Sequence, residues 1–160
     1  MTMNSLPSSA TLLHIGADHT VLQTRPDDRR TMDIGSSSIA RRFFRHDPPT
    51  SLELESAIDA VEDEAMRVRS LFVDTATLVS TDPGLRELVS AADSTQKDDK
   101  VLTLDAVELL FQRLASASLG HPRAMDGMPA GPEAAARLLI LRELMHHLGY
   151  ASIATAQPRQ

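Results

Sequence analysis

A mixed α/β fold, a small sheet packed beside helices, is what the sequence predicts, on three observations. Residues 11–24, TLLHIGADHTVLQT, read as a β-hairpin: two apolar runs about the polar turn Gly16-Ala17-Asp18-His19. Three stretches, near 51–70, 104–119 and 132–148, repeat apolar residues at helical spacing. Between and after them, residues 71–80 and 150–155 are apolar or β-branched and read as strands.

Composition sets the bounds. The chain has 160 residues, enough for one domain with a real core. Aromatics make up only 3%, so Leu, Ile, Val, Ala and Met must build that core. The formal net charge of −6 argues against a nucleic-acid footprint, and Arg41-Arg42 with Arg45 form only a short basic cluster. There is no cysteine, which removes disulfides, thiolate chemistry and zinc–sulfur sites. The opening residues MTMNSLPSSA lack the charged and apolar regions of a signal peptide, and no apolar run is long enough to span a bilayer. The expectation is a cytoplasmic protein with no membrane partner.

Along the chain, residues 1–10 are small, polar and Ser-rich, expected as a disordered lead-in. After the hairpin, Arg25-Pro26-Asp27-Asp28 has turn composition, and residues 30–34 read as a third short strand closed by Gly35 and three serines. Residues 39–44 place apolar side chains at 39, 40, 43 and 44, a helical spacing. Pro48-Pro49 stops it. Thr50 with Glu53 three residues on is a capping box, followed by the stripe Leu54, Ile58, Val61, Ala65 and Val68. Asp82-Pro83 reads as an N-cap with proline at the first helical position, opening a short helix over 84–92. The polar residues 93–100 read as a mobile loop. Thr103 caps the next helix, which Gly120 and Pro122 end. Pro132 opens the last helix and Gly149 closes it; its broad apolar arc predicts the most buried helix. Residues 11–155 thus form one subdomain, and 156–160 a tail.

Candidate chemistry is sparse. His14, Asp18 and His19 flank the hairpin turn, but no fourth ligand is spaced nearby, and they read as turn residues. Glu143 and His146 have E-x-x-H spacing, yet carboxylate-bridged metal bundles need that motif twice. No metal site is predicted. Gly35 followed by Ser36, Ser37 and Ser38 offers hydroxyls and backbone N–H groups to a phosphate at a helix start. The spacing is not that of a P-loop, and no G-x-S-x-G elbow or spaced Ser-His-Asp set occurs.

The order of elements, with Phe43-Phe44-Arg45-His46-Asp47-Pro48-Pro49-Thr50 before the long helix and Leu102-Thr103-Leu104 at the start of a later one, resembles the second subdomain of the exopolyphosphatase / guanosine-pentaphosphate phosphohydrolase (Ppx/GppA) family. That family has the actin-like, RNase H-like phosphotransferase fold. The resemblance implies a phosphate-facing set of Gly16, Gly35, Ser36, Ser37, Ser38 and Gly84, with polyphosphate or a guanine nucleotide as ligand. The departures are specific. Where the family has an Asp-Ile-Gly-Gly-Gly-Ser loop, this chain has His14-Ile15-Gly16-Ala17-Asp18-His19, so one glycine of three remains and Asp18 would repel phosphate. The second glycine loop is Thr81-Asp82-Pro83-Gly84, and its proline lacks an N–H. The family's first subdomain, with the catalytic glutamate, has no counterpart in these residues, so no catalytic residue is assigned. The resemblance therefore implies a stand-alone, degenerate phosphatase-like domain with weak or no hydrolysis alone, without a cofactor unless residual activity uses magnesium. It would act as a homodimer or with a partner supplying the missing subdomain. The alternative is a non-enzymatic interaction or regulatory module.

Overall fold

In the computed structural model, residues 10–25, 28–69, 77–92 and 100–156 are described. The expected lead-in, most of the 93–100 loop, most of the 71–80 strand and the tail beyond 156 lie outside them.

The elements run β1 (Thr11–Ile15), β2 (Thr20–Arg25), β3 (Asp28–Met32), α1 (Ser36–Phe43), α2 (Ser51–Arg69), β4 (Leu78–Ser80), α3 (Pro83–Ala92), β5 (Lys100–Thr103), α4 (Leu104–Ser118), α5 (Pro132–Leu148) and β6 (Ser152–Thr155), with a 3-10 turn at Pro122–Met125 before α5. This is the mixed α/β architecture the sequence predicts.

The sheet order is β3-β2-β1-β4-β6-β5. β1, β2 and β3 form an antiparallel meander. β4 is parallel to β1, and β6 is parallel to β4. β5 closes the far edge antiparallel to β6. The crossovers from β1 to β4 and from β4 to β6 step the same way across the sheet. Right-handed connections therefore place the helices they carry on one face. On that face Leu13, Ile15, Leu22, Leu78, Leu102 and Ile153 join the helices in one core.

α5 is the centre of the helical layer and packs against α1, α2 and α4. Leu138, Leu139, Ile140, Leu141, Leu144 and Met145 are all buried, which is why its apolar arc reads as broad. Each such side chain contributes about 1.5–3 kcal/mol of burial. Gly149 ends it with φ 79°, the left-handed conformation glycine adopts without a Cβ clash. Tyr150 then donates its hydroxyl to Thr11 Oγ1 at 3.1 Å, tying the entry of β6 to β1 across 139 residues.

Three sequence expectations are corrected. The helix expected over 39–44 begins at Ser36, because its first N–H groups find carbonyl partners on the hairpin turn. The third strand lies at Asp28–Met32 rather than 30–34, paired with β2 by a register that shifts near its start. β5 is a strand where none was expected; Thr103 closes it and still caps α4, accepting Ala106 N–H at 3.2 Å.

Candidate phosphate-facing site

The β1–β2 turn, the start of α1 and the β4–α3 loop come together at the carboxyl ends of the parallel strands. That is where open α/β sheets place their ligands. Five of the six residues of the phosphate-facing set lie on the turn and the start of α1, and Gly84 stands at the head of α3 just after the loop.

Gly16 and Gly35 are there for close backbone approach. A Cβ on Gly35 would lie 2.4 Å from the Ala17 carbonyl oxygen, and one on Gly16 would lie 2.9 Å from the His19 carbonyl oxygen. The turn's carbonyls are thereby pushed onto the start of α1. Ser36 N–H donates to Gly16 O at 2.9 Å, and Ser37 and Ser38 N–H both donate to Ala17 O, at 2.9 and 3.0 Å. Gly16 N–H donates to His19 O at 2.8 Å. Gly35 N–H donates to Ser38 Oγ at 2.9 Å. The hydroxyls are engaged too: Ser37 donates to Glu133 and Ser38 to Gly35 O. A helix start that reads in sequence as an anion cradle is thus filled by the chain's own carbonyls.

Gly84, at the head of α3, faces an arginine. A Cβ there would lie 2.4 Å from the Arg137 guanidinium carbon. Arg137 has no ion-pair partner among the described residues.

Asp82 is not the side-chain cap its position suggests. Its backbone carbonyl accepts Arg86 N–H at 3.0 Å, as an N-cap residue's should. Its carboxylate instead reaches β1, where Oδ2 accepts Ile15 N–H at 2.8 Å and Oδ1 lies 2.6 Å from His14 Nδ1. Ser80 Oγ accepts the Asp82 N–H at 3.1 Å and holds the loop. A pair 68 residues apart leaves no trace in local spacing.

The metal candidates do not assemble. His19 faces Asp33 at 3.4 Å and Asp18 pairs with Arg41 at 2.8 Å. Glu143 binds His147 at 3.0 Å, one position past the expected His146, and Arg142 at 2.7 Å. Arg142 also bridges to Glu108 and lies over the Phe111 ring at 4.3 Å, so this is an α4–α5 cross-tie. No group of three metal-ligating side chains occurs among the described residues. Around the turn, Asp82 is spent on Ile15 and His14 and Asp18 on Arg41; this donor set does not fit magnesium.

No protein-family model and no curated protein matches the sequence. Solved structures do. A Ppx/GppA phosphatase of Aquifex aeolicus superposes with a TM-score of 0.71 at 15% identity, over 92% of this chain and 53% of its own. An exopolyphosphatase-like protein gives 0.71 at 16%, over 98% of this chain and 58% of its own. An exopolyphosphatase from Cytophaga hutchinsonii gives 0.66 at 13%, over 92% and 53%. Among the described residues no helix is long and apolar enough to cross a membrane. The chain spans a little over half the length of these proteins, and over that span it shares the fold of the Ppx/GppA structures.

Proposed function

We propose that the chain is a degenerate Ppx/GppA-like domain that does not hydrolyse polyphosphate or guanosine pentaphosphate by itself at enzyme-like rates. One observation carries this reading. The N–H groups of Ile15, Gly16, Gly35, Ser36, Ser37 and Ser38 are all paired inside the chain. An incoming phosphate would have to displace those bonds, and the Asp82 carboxylate already holds the Ile15 N–H as an internal anion. Exchanging one charge-assisted bond for another gains little. Residual anion binding belongs in this reading to Gly84, where the Arg137 guanidinium lies against the loop. Turnover would require groups from a second surface, a second copy or a partner, set opposite the turn.

The test is phosphate release from polyphosphate and from guanosine pentaphosphate with magnesium present. The expected result is release no faster than without protein. Turnover on either substrate that is lost on Gly16→Ala or Asp18→Ala would overturn the proposal.

A further inference from the structure

The His14–Asp82 pair is not explained by the likeness to phosphatases, and it is built as a dyad. Asp82 carries a side chain only 11% exposed, fixed by the Ile15 N–H on one oxygen and by His14 on the other. A carboxylate only accepts, so Nδ1 carries a proton and donates it to Asp82, and in the neutral ring the lone pair is then on Nε2. The His14 side chain is 60% exposed. Gly16 keeps the space before it, since a Cβ there would come within 3.3 Å of Nε2. The carboxylate on the turn, Asp18, is engaged by Arg41. In its neutral form, an imidazole oriented in this way presents Nε2 as a nucleophile.

We propose that His14 is a phosphoryl acceptor for activated donors of the acyl phosphate class. The Nε2 lone pair attacks phosphorus, the bond from phosphorus to the acyl oxygen breaks, and the carboxylate leaves with the electron pair. No proton leaves the ring. Nδ1–H stays on Asp82, whose charge offsets the positive charge formed on the imidazole. Asp82 is a positioning residue in this step. An exposed acceptor needs no phosphate cradle of its own, so the internally paired N–H groups around Gly35 are no obstacle. The proposal does not depend on any turnover of polyphosphate.

The full chain incubated with acetyl phosphate tests it. The readout is intact mass and peptide mapping under alkaline conditions, across the six histidines. The expected product is one acid-labile phosphoryl group on His14, absent in His14→Gln. In Asp82→Asn the rate at His14 should fall about tenfold, the size of effect that loss of a histidine's orienting partner has elsewhere. Labelling of exposed His121 should not change, and a thermal melt confirms that the variant is folded. No label at His14, or labelling there no faster than at His121, or an unchanged rate in Asp82→Asn, overturns the proposal.

Discussion

Gly35 shows how a single missing Cβ fixes the site. Its φ of −151° is extended backbone that any residue adopts, so the requirement is space and not conformation. The Ala17 carbonyl fills that space, and three N–H groups of α1 depend on the turn staying there. Gly35→Ala should therefore destabilise the chain by about 1–3 kcal/mol, the range for overpacking. Urea unfolding checks it, and an unchanged midpoint would show that the turn can withdraw at no cost. The same residue shows what was readable at this scale. In sequence Gly35 and the serines read as the close of a strand before a helix over 39–44; that the helix starts at Ser36 is set by the acceptors its N–H groups find on residues 16 and 17. Asp82 and His14 were each conspicuous alone; their pairing is purely tertiary. Glu143 with His147 was the reverse case, a contact within one helix that spacing could have found, passed over for the metal-like spacing to His146.

At the scale of elements, the capping box at the head of α2 was legible because its partners are three residues apart. Thr50 N–H donates to Glu53 Oε1 at 2.9 Å, and Glu53 N–H donates to Thr50 Oγ1 at 3.2 Å. The structure adds a third grip, Arg45 N–H on Glu53 Oε2 at 2.8 Å, with His46 Nδ1 at 3.2 Å. Desolvation of Glu53 opposes its ionisation, but the two N–H donors and the His46 ring outweigh it, and its pKa falls from 4.5 to about 2. A depressed carboxylate stabilises the fold above its unfolded value and loses that contribution as pH falls through 4.5 toward about 2. Glu53→Gln should cost about 1 kcal/mol at neutral pH, the difference between charged and neutral hydrogen bonds. The gap between wild type and variant should shrink steadily below pH 4.5 and close near 2. Thermal melts of both proteins over that range measure it, and a gap independent of pH would refute the assignment. β5 and the first turn of α1 were illegible for local reasons. β5 has only four residues, Lys100–Thr103, too few for a period to show, and the three successive serines at the head of α1 have weak helix propensity. Pairing with β6 and with the hairpin turn decides their structure.

For the whole molecule the question is whether the sheet and the helical layer hold together as one unit. The buried core runs without a break from Leu13 and Leu22 in the hairpin, through α1, α2 and α5, to Leu102, Leu114 and Ile153. α5 touches every other helix, so no helix has a core separate from it. Topology of this kind was legible only through a resemblance of element order, since local periodicity cannot rank strands across a sheet. A core shared in this way predicts a single cooperative transition. The chain provides its own reporter: it has no tryptophan and one tyrosine, Tyr150, which is buried just before β6 with its hydroxyl on Thr11 of β1. Burial also holds the Tyr150 phenol above its ordinary pKa of 10, the Thr11 hydrogen bond opposing it, so it stays un-ionised at neutral pH. Tyrosine fluorescence therefore follows the sheet, while far-UV circular dichroism follows mainly the helices. In urea the two signals should share one midpoint. A separate, earlier loss of tyrosine signal would mean that the β1–β6 tie opens while the helical layer persists, and would divide the core that the packing shows as one.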